Sequence, residues 1–388
     1  MAAYDFDTPV DRRGTWSVQW DGVADRFGTP GLLPFTISDM DFASPPEVLD
    51  ALRSRIDHGV FGYTDWRHED FLSAVRDWFA LRHDTAIDTD RLVYAPSVLN
   101  QLSQLLRMWT EPGDGVVVHT PVYDGFRKAV LGLGRELRGV PVGDMDALAV
   151  ELARPDSKVL VLCSPHNPTG RVWTEAELTR TAELARTHGV AVVSDEIHAD
   201  LVHPGTAGGL RHLPWTRFGS GRWALITSAS KAFNFPALSG SYGIVGDPDD
   251  HAEFLRRMTT AEGLASPAVL SLSAHIAAYR RGADWLGALD AYVTGTLRMV
   301  ERRLADAFPQ LGWVPPQAGY LAWIDLRPLG VPEAALQREL IDRERVAIMP
   351  GSVYGPEGEG HVRLNVGCPR PKAERGVEAL IQAVRRLM

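Results

Sequence analysis

The run RWALITSASK, residues 222–231, decides the reading of the fold. Its apolar core, Trp223 to Ile226, gives way to Thr-Ser-Ala-Ser and then to Lys231, one of only four lysines in a chain with 36 arginines. The core lacks the polar alternation of a half-exposed strand, as expected where both faces are buried in a parallel sheet. Four stretches of the same kind surround it: GVVVHTPVY (115–123), SKVLVLCSP (157–165), GVAVVSDEIH (189–198) and GSYGIVGD (240–247). Between them, SVLNQLSQLLRMW (97–109) and TEAELTRTAELARTHG (174–189) have helical spacing. The second has Thr174 as N-cap, Glu177 three residues on and Gly189 as its stop. The expected class is α/β, with a mostly parallel central sheet covered by helices on both faces.

Residues 252–310 read as mostly helical. GYLAWIDLR (319–327) and HVRLNVGC (361–368) read as further strands, and KAERGVEALIQAVRRLM (372–388) as a closing helix. The expected division is a large unit over 48–285 and a smaller α+β unit built from 1–47 and 286–388.

In open parallel sheets, ligands lie beyond the carboxyl ends of the strands. Here successive strands end at Tyr123, at His166-Asn167, at Asp195 and at Lys231. Each has an ordinary explanation alone: a core-edge tyrosine, the turn chemistry of NPTG, a solvated acid, a surface lysine. Together they match one chemistry. Pyridoxal 5′-phosphate takes a lysine for its aldehyde, an acid against its ring nitrogen, an amide for its phenolic oxygen and an aromatic neighbour. Its phosphate suits the amides at a helix start, which APSVLNQ before the 97–109 segment offers, together with the hydroxyls of TSASK.

Composition narrows the alternatives. Net charge is −9 with dispersed basic residues, so nucleic acid is not an expected partner and a small-molecule amino-acid substrate is. Cys163 and Cys368 are too few for a disulfide framework or a cysteine-rich zinc site. MAAYDFDTPVDRRGTW has no apolar signal core, and no stretch approaches the roughly 20 apolar residues of a membrane span, so the cytoplasm is the expected location. A nicotinamide dehydrogenase would show G-x-G-x-x-G after its first strand, and that motif is absent. The acids Asp39 and Asp41 read as shaping the turn into the helix that starts at Pro46. His198 and His203 lack the H-E-x-x-H spacing, so no metal is expected.

Several strings resemble the pyridoxal-phosphate enzymes of the class I/II aminotransferase family, fold type I, and within it the cystathionine β-lyase branch of MalY/PatB type, the cysteine carbon–sulfur lyases. They are RRGTWSVQWD (12–21), SDMDFASPPEV (38–48), FGYTD (61–65), PVYDGF (121–126), CSPHNPTGRVW (163–173), SDEIHADLV (194–202), SASKAFNFPALSG (228–240) and VRLNVGCPR (362–370). The histidines before Asn167 and after the Asp195-Glu196 pair mark this branch. The resemblance implies that Lys231 bonds the cofactor, Asp195 faces its ring nitrogen, Asn167 its phenolic oxygen, and Tyr123 stacks on the ring. Ser97, Val98, Leu99, Ser228 and Ser230 would hold the phosphate, with His198 nearby. Tyr63 would reach the phosphate across a homodimer interface, and Arg363 would clamp the substrate carboxylate, with Asn167 and Tyr63 also at the substrate. The implied activity is β-elimination from L-cystathionine or another L-cysteine S-conjugate, giving a thiol, pyruvate and ammonia. Transamination uses the same cofactor residues and is the alternative. A ligand-binding regulator on this scaffold is a third, though it would lack the lysine or the acid, and both are present. Departures from the branch's usual strings, SASKAFNF, NVGCPR and TISDMDF, leave the cofactor residues intact and bear on the substrate pocket.

Overall fold

The computed structural model describes residues 4–388. Among these, eleven strands form two sheets. In chain order they are β1 (Leu33–Phe35), β2 (Leu92–Ala95), β3 (Gly115–Thr120), β4 (Glu136–Pro141), β5 (Ser157–Cys163), β6 (Ala191–Asp195), β7 (Trp223–Thr227), β8 (Ser241–Val245), β9 (Leu321–Asp325), β10 (Val346–Pro350) and β11 (His361–Asn365).

The larger sheet has the order β2-β8-β7-β6-β5-β3-β4. From β7 to β4 every pairing is parallel, and β8 alone runs antiparallel to its neighbours β7 and β2. All five apolar runs are strands. The pleat sends alternate residues to opposite layers. Val116, Val118, Val159 and Val161 pack with Leu102 and Leu105 of the Val98–Trp109 helix, while Val117, Leu160, Leu162 and Val192 pack with Leu178 of the Glu175–His188 helix. Helices on both faces explain why no polar alternation is visible in these strands. Register then levels the strand ends: Cys163 lies opposite Asp195, and Asp195 opposite Ile226.

Two strands of this sheet escape the apolar-run pattern. β4, ELRGVP, is an edge strand in which only Arg138 and Val140 are buried, and Arg138 pairs with Glu136 and Asp156. β2, LVYA, is four residues long.

The second sheet, β1-β10-β11-β9, joins a strand near residue 34 to three from the last 70 residues or so. β9 and β11 match the expected strands, whereas β1 and β10 were not anticipated. Helices Ala283–Ala307 and Arg370–Leu387 pack on one another beside this sheet. Phe35 of β1 lies so close to Gly376 that a Cβ there would meet its ring at 2.6 Å.

The Glu175–His188 helix starts as its sequence implies. Thr174 Oγ1 accepts from the Glu177 amide at 3.3 Å, Glu177 Oε2 accepts from the Thr174 amide at 2.9 Å, and Gly189 closes the helix at φ 66°. Thr174→Ala removes one side of this reciprocal cap and is expected to cost about 1 kcal/mol, read as a lower urea midpoint with unchanged slope.

Candidate active site

The carboxyl ends of β3, β5, β6 and β7 open on one cavity of about 180 Å³. Beyond β3, Tyr123 is the residue before the Asp124–Gly132 helix, and the Val122 amide is held by the Tyr354 carbonyl at 2.8 Å. Beyond β5, the NPTG turn closes through a bond from the Gly170 amide to the His166 carbonyl at 2.7 Å. Gly170 has φ 68°, and a Cβ there would lie 2.6 Å from the Ala318 carbonyl oxygen, so glycine is required for both reasons. This turn aims Asn167 at the cavity. Its Oδ1 accepts from Arg363 Nη1 at 3.2 Å, which leaves its NH2 facing inward as a donor.

Asp195 is the last residue of β6 and is 5% exposed. Burial pushes its carboxyl up to about 7, opposed by the Ile197 amide, which donates to Oδ1 at 3.0 Å, while the neighbouring Glu196 charge adds to the rise. Lys231 lies just past β7 and donates from Nζ to the Ser38 carbonyl. Burial brings this amine down to about 8, against the attraction of Asp39. A carboxyl that resists ionising and an amine that sheds its proton near neutrality are the perturbed pair expected at a reactive site.

The opposite wall is the start of the Val98–Trp109 helix. Ser97 caps it by accepting from the Asn100 amide at 3.1 Å. The amides of Val98 and Leu99 have no intrahelical partner and border the cavity, facing Ser228 and Ser230. This group of unpaired amides, with hydroxyls beside them, suits an anion. His198 also lines the cavity, and burial pulls its imidazole down to about 3.

Arg363, on β11, comes from the second sheet and is 4% exposed. It stacks over Tyr354 at 4.8 Å and donates from Nη2 to the Thr36 carbonyl at 2.7 Å. Its Nε is buried without a partner, and no carboxylate among the described residues pairs with it. A buried guanidinium lacking a counter-ion suits a ligand carboxylate.

Ten of the twelve residues singled out in the sequence therefore border this cavity, and Arg363 joins it through Asn167. Tyr63 does not. It sits in the loop between helices Pro46–Asp57 and Glu69–His83, fully exposed, with Val60 and Phe61 also exposed beside it. Asp41 accepts from Arg12 at 2.9 Å and Trp20 at 2.8 Å and pairs with Lys372, and Asp39 accepts from Arg12 at 2.6 Å. These acids brace the entry turn. His203 is held by Asp290 and by the Gly319 carbonyl, away from His198. Sequence reading missed Ser38, Phe126 and Cys163 in the cavity wall, and Tyr320, whose hydroxyl donates to the Ser38 carbonyl at 3.1 Å. Cys163 lies within the SKVLVLCSP run as the final strand residue, a position that could have flagged it.

A mostly parallel seven-stranded sheet with helices on both faces and a lysine beyond β7 is the fold-type I architecture of pyridoxal-phosphate enzymes. The chain belongs to the aminotransferase class I and II family, which it matches over residues 30–380. It is 52% identical to protein MalY of Escherichia coli K12, across 98% of this chain and 99% of that one. It is 35% identical to cystathionine β-lyase PatB of Bacillus subtilis 168, again across 98% and 99%. Among solved structures, cystalysin from Treponema denticola, which contains a pyridoxal 5′-phosphate cofactor, superposes with a TM-score of 0.92 at 28% identity, covering both chains completely.

Proposed function

We propose that this protein is a pyridoxal-phosphate-dependent carbon–sulfur β-lyase acting on L-cystathionine or a related L-cysteine S-conjugate. The observation that carries the reading is the convergence of Tyr123, Asn167, Asp195 and Lys231 from four adjacent strand ends on one cavity, opposite free helix-start amides. The relatives named as cystathionine β-lyases favour elimination over transamination.

The residues fit the cofactor on their own terms. Asp195 is a buried acid matched to a cationic ring nitrogen, the Asn167 NH2 to a phenolic oxygen, and the amides of Val98 and Leu99 with Ser97, Ser228 and Ser230 to a phosphate. Pyridoxal 5′-phosphate supplies an electron sink that eases loss of the Cα proton and departure of a thiolate from Cβ. Asp195 keeps the ring nitrogen protonated. Lys231 would anchor the cofactor through its amine and would move the proton at the substrate Cα, a task for which its lowered affinity for protons suits it. Arg363 orients the substrate carboxylate, and Tyr123 and His198 confine the ring.

Domain division and assembly extend this reading. Strands from both ends of the chain in one sheet support a small unit of 1–47 and 286–388 beside a large unit of 48–285. The exposed Phe61 and Tyr63 support a homodimer in which Tyr63 enters the partner's cavity. No helix of the described residues is long and apolar enough to cross a membrane. Together with the two buried free cysteines, this supports a cytoplasmic enzyme.

The purified protein is expected to release pyruvate and a thiol from cystathionine or another cysteine S-conjugate with no keto acid added, measured by coupled pyruvate reduction. Turnover that requires a keto-acid acceptor assigns it to the transaminases instead.

A further inference from the structure

Behind the phosphate wall stands a buried base. Nε2 of His275, a fully buried residue of the Val269–Arg281 helix, lies 3.1 Å from Ser228 Oγ. Nδ1 of the same ring lies 2.8 Å from the Ser271 carbonyl oxygen, which can only accept, so Nδ1 carries a proton. In a neutral ring Nε2 is then bare and must accept the Ser228 hydroxyl proton. The Gly240 carbonyl oxygen, 2.8 Å from Ser228 Oγ, and Ser230 Oγ, 3.0 Å from it, compete for that one proton. The Ser230 amide already donates to the same Oγ at 3.2 Å. One donor cannot serve two buried acceptors. A doubly protonated ring removes the conflict, since Nε2–H donates to Ser228 Oγ and frees the hydroxyl proton for Gly240 or for the cavity.

Close packing leaves no other escape. A Cβ on Gly240 would lie 1.9 Å from Ser271 Oγ and 2.3 Å from Tyr94 Oη, so this backbone cannot draw away from the helix that carries His275. Phe71, Phe235, Tyr242 and Tyr279 enclose the imidazole. The titratable groups that face it are the Tyr242 and Tyr279 phenols, which bond each other at 2.6 Å, and Tyr94 beyond Ser271. No carboxylate of the described residues pairs with it. Burial accordingly holds the ring near 4, neutral at physiological pH. Charging it requires an anion, and the phosphate wall is where one would lie. Among the side chains lining that cavity, Lys231 alone is of the lysine or arginine type.

We propose that His275 is a positioning residue for the cofactor phosphate: it takes one proton from solvent when phosphate occupies the wall of Ser228 and Ser230, and then donates through Nε2 to Ser228. The inference rests on the functional reading above. It assigns to His275 the counter-charge that the cradle lacks.

The test is nitrogen NMR of the full chain carrying 15N-histidine at pH 7.5, with the His275 signal identified by its loss in His275→Gln. Loaded with pyridoxal 5′-phosphate, wild type is expected to show both ring nitrogens protonated. Loaded with pyridoxal, which lacks the phosphate, it shows the neutral Nδ1–H form. His275→Gln is expected to weaken binding of pyridoxal 5′-phosphate roughly 10- to 100-fold, the worth of a charge-assisted bond, and to leave pyridoxal within about 3-fold. A yellow holoenzyme whose His275 stays neutral, or a variant that loses both ligands equally, overturns this inference alone. A wild-type chain that binds neither ligand overturns the functional reading and this inference with it.

Discussion

Lys231→Ala is expected to abolish pyruvate release, by roughly 10⁴-fold or more, while leaving the chain folded. Two losses combine in this one change: the covalent anchor of the cofactor and the group that moves the Cα proton. The fold survives because Lys231 is an expensive residue to bury. Its ammonium lies in a site that brings it down to about 8, and its one bond within the chain is to the Ser38 carbonyl. Alanine leaves that carbonyl with the Tyr320 hydroxyl, which donates to it at 3.1 Å. The checks are far-UV circular dichroism for the fold, absorbance of the lysine-bound cofactor near the visible edge, and pyruvate release. A variant that keeps the wild-type visible spectrum would show the cofactor bonded elsewhere and remove Lys231 from its role.

Tyr123, Asn167, Asp195 and Lys231 were legible because a parallel sheet converts position after a strand into position in space: four separate stretches end at one level. The caps were legible for a related reason, since Thr174, Glu177 and Gly189 act within a single turn. Ser38 and Tyr320 lie 282 residues apart, and their meeting depends on how the second sheet docks, which no local pattern encodes. β4 was hidden by its edge position, where Arg138 and Glu136 replace apolar residues, and β1 by its length of three residues with a proline at its centre. His275 lies in a helix whose sequence, VLSLSAHIAAYRR, reads as ordinary core packing. Its contact with Ser228 spans 47 residues and appears only in the folded chain. Tyr63 shows the converse case: the motif is plain, yet in its own chain the side chain is fully exposed and lines no part of the cavity.

Asp195→Asn is expected to lower turnover by about 10²–10³-fold, because an amide cannot hold a proton on the facing ring nitrogen by charge. A second effect, of opposite sign, separates this role from simple structural damage. With its proton affinity raised by burial from 3.8 to about 7, Asp195 binds a proton more tightly folded than unfolded. Its contribution is therefore fully present below the unfolded value and is lost as pH rises through about 7. Above that range the cofactor-stripped wild type holds an unpaired buried carboxylate, and asparagine does not. Stripped Asp195→Asn should thus match stripped wild type near pH 4 and exceed it at pH 8, by up to about 4 kcal/mol. With cofactor bound the order reverses, since the ring cation compensates the carboxylate in wild type alone. Urea midpoints of both proteins, stripped and loaded, at the two pH values measure all four terms. If asparagine destabilises the stripped protein at pH 8 as much as the loaded one, Asp195 is a structural acid and the role of facing the ring nitrogen passes to another group.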